Sequence, residues 1–278
     1  MPTTAEPLPH PLAWLSLEEL DRDLYRGFNE KTHLPDRHHL FGGQVMAQAL
    51  RAAAHTVTGG RLPHSLHGYF LRPGNPDHPI IFRVDRDRDG RSFSARRVAA
   101  TQNAEVIFEM SASFHEAEPS AEYAEPMRTF APPNECAPFQ LFTDLHACLE
   151  VRLPVPPPFQ DSFEGIDLEH LWARITVPVP DSPVDHLCLL TYLSDLGGGF
   201  GSLELEGIPP FGPSIDHALW FQSPIRADDW ILFDMRTLKV GGGRGLYLGS
   251  AHDRSGSLGA TFSQEVLLRS STPPPSHI

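Results

Sequence analysis

The sequence predicts an α+β protein made of two similar halves, each with one buried helix followed by an antiparallel sheet. Three observations lead to this prediction: a long apolar run without glycine or proline, several strand-like runs separated by turn residues, and a repeat of this order later in the chain. The chain has 278 residues, of which 40% are hydrophobic and 21% are charged. Such a chain can bury a sizeable core.

The first helix is predicted over residues 44–57, which are rich in Ala, Leu and Met and contain no Gly or Pro. Gly59 and Gly60 follow this run and mark its end. Most faces of the helix are apolar, which predicts a buried position. The strand-like runs that follow it are 64–72, 79–87, 91–102 and 106–115. The Asp89-Gly90 pair between the second and third runs indicates a hairpin turn.

The second half repeats this order, with a predicted helix over residues 184–196. Its strand-like runs are 214–223, 230–240, 245–252 and 258–269. Residues 65–73 align with 216–224 without a gap, and aromatic pairs fall at equal offsets. A weak internal duplication explains this agreement.

Proline-rich sequence separates the halves, because a regular helix or a central strand does not accommodate so many prolines. We therefore expect an N-terminal unit over residues 1–117, a linker over 118–160, a C-terminal unit over 161–272 and a tail over 273–278.

Composition excludes several classes of protein. The formal net charge of −13 argues against a general nucleic-acid binder and against a polybasic membrane-surface protein. The three cysteines form no C-x-x-C pair, so a disulfide framework and a structural zinc site are not expected. The N-terminus does not resemble a signal peptide, and no apolar stretch is long enough for a membrane span. These features predict a soluble cytoplasmic protein without membrane insertion.

Common catalytic motifs are missing from the sequence. It contains no G-x-S-x-G nucleophile elbow and no H-E-x-x-H metal motif, so neither a catalytic metal nor a cofactor is expected. The glycine clusters at 197–201 and 241–245 lack the features of a phosphate loop. They are better interpreted as a helix end and a hairpin turn.

Three polar residues in the strands of the second half are candidates for chemistry. Asp216 lies in an apolar strand, where an acid is disfavoured, and Gln264 interrupts another apolar run. Thr237 lies between them in sequence. A carboxylate, an amide and a hydroxyl that converge on one water would suit hydrolysis, with Asp216 as the general base. The alternative is structural: Asp216 at a strand end or turn, and Thr237 as an ordinary strand residue.

The arginines over residues 83–97 alternate with aspartates, which is typical of a solvated hairpin. Alternatively, some of them bind phosphate groups. Arg91 and Arg244 lie at similar distances downstream in the two halves and are the candidates we name.

Seven segments together resemble the acyl-CoA thioesterase II family, in family order and over about residues 15–270. They are FGGQVMAQAL (41–50), HSLHGYFLRPG (64–74), DGRSFSARRVAATQ (89–102), TYLSDL (191–196), IDHALWF (215–221), RGLYLG (244–249) and SQE (263–265). The resemblance implies a double hotdog fold, in which two helices are each wrapped by an antiparallel sheet.

The resemblance also implies hydrolysis of acyl-CoA to fatty acid and CoA without a metal or redox cofactor. By this likeness Asp216 and Gln264 match the family's catalytic aspartate and glutamine, and Thr237 matches its hydroxyl residue. The resemblance further implies a homodimer or homotetramer. The start of the first helix, Gly42-Gly43-Gln44, is the candidate that stabilises the oxyanion, because helix N–H groups and the dipole favour negative charge there.

Other hypotheses stay open at this point. Asp216 could act as a nucleophile that forms an acyl-enzyme. An acyl-CoA hydratase or dehydratase could share the fold, and so could a non-catalytic acyl-CoA carrier.

Overall fold

The computed structural model describes residues 11–29, 39–140, 148–156, 166–201, 203 and 212–269. The first half contains two helices, a short α1 (Pro11–Leu15) and the long α2 (Gly42–His55). Its strands are β1 (Leu17–Asp21), β2 (Leu24–Gly27), β3 (Leu62–Phe70), β4 (Ile80–Asp89), β5 (Phe93–Gln102) and β6 (Glu105–His115). The helix and the four strands predicted for this half are confirmed within a few residues.

The second half has the corresponding elements. Its helix is α3 (Pro183–Leu193), which begins with Pro183 after the N-cap Ser182. Its strands are β7 (Ala137–Pro138), β8 (Leu149–Leu153), β9 (His170–Ile175), β10 (Asp216–Phe221), β11 (Ile231–Gly241), β12 (Arg244–Asp253) and β13 (Leu258–Leu267). A short 3-10 helix, Pro133–Glu135, precedes β7.

Two strands lie inside the segment expected to be a linker. β7 pairs with β8, and β8 pairs with β9, so both extend the sheet of the second half. Proline does not prevent this, because Pro138 lies in the outermost strand of the sheet, where a missing N–H is tolerated. The division of the chain at residues 117, 160 and 272 stays a prediction.

All the described strands belong to one antiparallel sheet, in the order β1-β2-β4-β5-β6-β3-β10-β13-β12-β11-β9-β8-β7. The long helices α2 and α3 are largely buried and pack against each other, and their buried residues share one hydrophobic core with strand residues of both halves. Two helices wrapped by one continuous sheet form a double hotdog fold, as predicted.

The halves meet at β3 and β10, which pair across the middle of the sheet. His67 is opposite Ala218, Ser65 is opposite Trp220, and Tyr69 is opposite Asp216. This register maps onto itself when residues 65–73 are exchanged with 216–224. The internal duplication is therefore visible as an approximate twofold axis between His67 and Ala218.

The glycine cluster at 241–245 forms the turn between β11 and β12. Gly242 and Gly243 have φ angles of +62° and +76°, which glycine adopts most readily. The predicted hairpin turn is therefore confirmed. Among the described residues, no helix is both long enough and apolar enough to cross a membrane.

Candidate active site

A cavity of about 820 Å³ lies where the two halves meet. Its wall includes the start of α2, the residues after α3, the segment before β10, and parts of β12 and β13. Large apolar side chains line much of it, including Phe41, Phe70, Phe108 and Phe200. A few polar groups converge on this apolar surface, as is typical of a small-molecule site.

Asp195 is the acidic residue in this cavity. It directly follows Ser194, the C-cap of α3, and its side chain is only 6% exposed. Its Oδ2 accepts a hydrogen bond of 2.7 Å from the backbone N–H of Gly43 at the start of α2. Its Oδ1 accepts one of 2.7 Å from Nε2 of Gln264. The helix N-terminus and the amide stabilise the negative charge of this largely buried carboxylate.

Ser214 and Gln264 complete a polar cluster with Asp195. Ser214 bridges to β13 just before β10 begins, and its Oγ lies 3.4 Å from Asp195 Oδ1. Gln264 is buried in β13, and its Nε2 also donates to Ser214 Oγ. Tyr247 in β12 donates from its hydroxyl to Oε1 of Gln264. A carboxylate, a hydroxyl and an amide thus line one wall of the cavity.

Asp216 is placed differently from the sequence prediction, because it does not line the cavity. The pairing of β13 shifts by one residue between Ser214–Val266 and Ala218–Ser263. At this shift, Asp216 Oδ1 accepts a hydrogen bond of 2.8 Å from the backbone N–H of Glu265. The carboxylate thus accepts a backbone N–H that the irregular strand pairing would leave without a partner. This corresponds to the structural role predicted from the sequence as the alternative for Asp216.

Thr237 also lies away from the polar cluster. Its hydroxyl donates to the backbone oxygen of Gly199, and it does not line the cavity. Of the three predicted catalytic residues, the structure brings only Gln264 to the cavity.

The predicted helix start lies at the cavity, although its residues differ in their contacts. Gly42 lines the cavity and Gly43 binds Asp195. Gln44 does not line the cavity. Its side-chain Nε2 donates a hydrogen bond of 3.3 Å to the backbone oxygen of Phe28. A Cβ at Gly43 would lie 2.6 Å from the Tyr192 carbonyl oxygen. Glycine is therefore needed because α2 begins against the end of α3.

Neither predicted phosphate-binding arginine lines the cavity. Arg91 lies in the β4–β5 turn, and its carbonyl accepts a hydrogen bond from Arg61. Arg244 donates from Nε to Glu265 at 2.8 Å. Among the described lining residues, Arg72 is the only arginine or lysine. It was contained in the motif HSLHGYFLRPG but was not singled out.

Sequence reasoning missed Asp195, Ser214 and Arg72. Asp195 follows a helix end, and Ser214 lies two residues before Asp216. Neither residue interrupts a hydrophobic pattern, so the sequence did not single them out. The usable signal for Asp195 was the motif TYLSDL, where an acid directly follows a helix that is apolar on all sides.

Two titratable side chains beside Asp195 and Gln264 are neutral at neutral pH. Burial lowers the pKa of His217 to about 3, and its Nδ1 lies 3.8 Å from Asp195 Oδ1. Burial also raises the pKa of Tyr247 well above its usual value, and the nearby Asp195 acts in the same direction. Neither side chain therefore forms an ion pair with Asp195 at neutral pH.

Among the described residues, Asp167, Glu169 and His170 could hold a metal ion by distance alone. Contacts with Asp167 and then Asp234 raise the pKa of His170 to about 9. A protonated imidazole is a poor ligand, so this cluster fits an ion-pair network better than a metal site.

Most of the chain, including both halves, is similar to known acyl-CoA thioesterases. The sequence model of the acyl-CoA thioesterase N-terminal domain matches residues 32–115, and that of the C-terminal domain matches residues 108–268. Acyl-coenzyme A thioesterase 8 of Rattus norvegicus is 35% identical over 92% of this chain and 88% of its own length. Acyl-CoA thioesterase 2 of Haemophilus influenzae is 34% identical, over 92% of this chain and 95% of its own length.

Solved structures are also similar to this chain. The crystal structure of the acyl-CoA thioesterase II TesB2 from Mycobacterium marinum is 37% identical and covers 96% of this chain and 98% of its own, with a TM-score of 0.77. The tesB protein of Mycobacterium avium subs paratuberculosis is 30% identical, covers 95% of this chain and 98% of its own, and has a TM-score of 0.78. Because the likeness extends over both halves, the chain belongs to the acyl-CoA thioesterase II family.

Proposed function

We propose that this protein hydrolyses acyl-CoA thioesters, with Asp195 as the general base and with Ser214 and Gln264 holding the attacking water. The observation that carries this proposal is the convergence of a carboxylate, a hydroxyl and an amide on one wall of an apolar cavity. Family membership supplies the substrate class, and the cavity supplies a place for the acyl chain.

The reaction follows from the positions of these groups. Water held by Ser214 and Gln264 attacks the thioester carbonyl while Asp195 accepts its proton. The negative charge that develops on the carbonyl oxygen is stabilised near Gly42, at the N-terminus of α2. When the intermediate collapses, the C–S bond breaks and the proton on Asp195 passes to the CoA thiolate.

Arg72 is the residue we propose for contact with the anionic part of CoA. It lines the cavity, and its side chain is about half exposed, so it can reach both cavity and solvent. A guanidinium suits phosphate groups. The net charge of −13 favours such a local contact over long-range attraction of the substrate.

The decisive experiment compares two aspartate variants by release of free thiol from acyl-CoA. Asp195→Asn should lower kcat by at least about a hundredfold, the range expected for loss of a general base. Asp216→Asn is the matched control, because it makes the same chemical change outside the cavity. Full activity in a folded Asp195→Asn protein, or selective loss in Asp216→Asn, would contradict this assignment.

Single-turnover hydrolysis in ¹⁸O-labelled water distinguishes direct attack by water from an acyl-enzyme. Label is expected only in the fatty acid, whereas label in the Asp195 carboxylate would show that Asp195 is the nucleophile. Incubation with an enoyl-CoA or a 3-hydroxyacyl-CoA, followed at the absorbance of the enoyl thioester, tests the hydratase alternative. Binding of acyl-CoA without thiol release would favour a carrier.

We also propose a cytoplasmic homodimer or homotetramer. Tyr69 and Trp220 are 53% and 38% exposed near the central strand pair, which supports association of sheets. The three cysteines are free and buried, which suits a reducing compartment. Light scattering coupled to size-exclusion chromatography measures the oligomeric state.

A further inference from the structure

Tyr247 lines the same wall of the cavity as Gln264 and contacts Gln264 directly. The two residues are opposite each other in the β12–β13 pair. The Tyr247 side chain is 1% exposed, and its hydroxyl donates to Gln264 Oε1. The other end of the same amide, Nε2, donates to Asp195 and Ser214. Tyr247 is thus one step removed from the groups assigned to the reaction.

Packing fixes the direction of the Tyr247 ring. The Phe200 ring meets it edge-on with a centroid distance of 5.4 Å, and Phe262 lies at 6.5 Å on a perpendicular plane. Gly199 lies against its Cβ, because a Cβ built on Gly199 would be 2.4 Å away. The hydroxyl therefore has one position, which is at the Gln264 amide.

A glutamine amide has two ends of the same shape but opposite hydrogen-bonding character. Only the orientation with Nε2 toward Asp195 offers a donor to that carboxylate. In that orientation Oε1 faces the interior, where an unpaired acceptor costs about 1–3 kcal/mol. The hydroxyl of Tyr247 supplies the missing donor, and it keeps its proton because burial raises its pKa well above the usual value.

We propose that Tyr247 is a positioning residue for the reaction: it holds the Gln264 amide in the orientation that presents Nε2 to Asp195, Ser214 and the attacking water. This inference rests on the role proposed for Gln264. Tyr247 lines the cavity beside Gln264, but the role proposed for it is exerted through the Gln264 amide and not on the reacting atoms.

The test is a double-mutant cycle with Tyr247→Phe and Gln264→Ala. Tyr247→Phe keeps the ring and its packing, so the variant should fold. We expect kcat to fall at least about fivefold, while KM changes by less than about twofold. In the Gln264→Ala background, the same substitution should have no further effect on kcat, because the amide it positions is gone.

Tyr25→Phe is the matched control. Tyr25 is also buried, but it lies in β2 against His55 and does not line the cavity. It should leave kcat unchanged. Thermal unfolding of every variant separates lost stability from lost positioning.

The outcomes separate this inference from the proposed function. An equal fall of kcat in both backgrounds would show that Tyr247 does not act through Gln264 and would overturn the inference alone. An unchanged kcat in Tyr247→Phe together with a lowered kcat in Gln264→Ala would also overturn the inference about Tyr247 alone. An unchanged kcat in Gln264→Ala would overturn the proposed role of Gln264, and the inference with it.

Discussion

The protonation state of His217, which lies next to Asp195, is determined by burial. Its ring is fully buried, stacks near Phe262 and contacts Ser194 through Nε2 at 3.2 Å. A positive charge at this position would have to be removed from water, and burial therefore lowers the pKa to about 3. The folded protein keeps this histidine neutral over a pH range in which the unfolded chain protonates it.

This difference predicts how stability depends on pH. Between about pH 6.5 and 3, the unfolded state binds one more proton at His217 than the folded state, so acid lowers stability by up to about 1.4 kcal/mol per pH unit from this residue. His217→Gln removes the contribution and should make the slope shallower. Urea unfolding at several pH values measures it. Parallel slopes in the two proteins would contradict the prediction.

At the same scale, the role proposed for Gln264 was predictable from the sequence and the role proposed for Asp195 was not. Gln264 interrupts an apolar strand, and a polar residue there needs a partner. Asp216 gave the same signal, but its partner is a backbone N–H at a shifted strand pair. Asp195 gave no such signal, because its partners Gly43 and Gln264 are 152 and 69 positions away. Only the fold brings them together.

At the scale of elements, the helices and most strands followed from hydrophobic pattern and turn residues. β1, β2, β7, β8 and β9 did not, since these strands are short and lie in the outer parts of the sheet. Their backbone pairing depends on neighbours distant in sequence. The contact between the start of α2 and the end of α3 was also not predicted from the sequence, although Gly42 and Gly43 at this contact were candidate site residues.

That helix contact predicts the effect of one added methyl group. Gly43→Ala would place Cβ 2.6 Å from both the Tyr192 carbonyl oxygen and a Phe41 ring carbon. The start of α2 must move, so the N–H to Asp195 bond should weaken, with kcat reduced at least about tenfold and the melting temperature lowered. Gly241→Ala is the control, because its nearest neighbour is the flexible end of Lys239 at 3.5 Å.

Kinetic assays and thermal unfolding of both alanine variants measure these effects. Wild-type kcat in Gly43→Ala would show that catalysis does not depend on this helix contact.

At the scale of the whole molecule, only one half of the described chain carries the polar cluster proposed to be catalytic. Across the approximate twofold axis, the β5–β6 pair Arg96–Ala112 takes the place of the β12–β13 pair Tyr247–Gln264. The Arg96 guanidinium is buried and binds Thr56 Oγ1 and Asp89 Oδ1, each at 2.7 Å. It fills the space with a structural ion pair, and Ala112 offers no amide.

This arrangement predicts the binding stoichiometry. Calorimetric titration of the Asp195→Asn variant with acyl-CoA should give one site per chain, because the corresponding region of the first half is occupied by Arg96. Two sites of similar affinity per chain would contradict this prediction.

The hydrogen bond between Gly43 and Asp195 has a consequence for mutational tolerance. The first half supplies none of the three side chains proposed for catalysis, yet its helix start binds the Asp195 carboxylate. Substitutions near Ala112 need only preserve packing. The backbone at residues 42–43, in contrast, must keep its position because it binds Asp195, the proposed general base from the other half. The two copies are therefore free to diverge in their strands but must keep a common geometry where their helices meet.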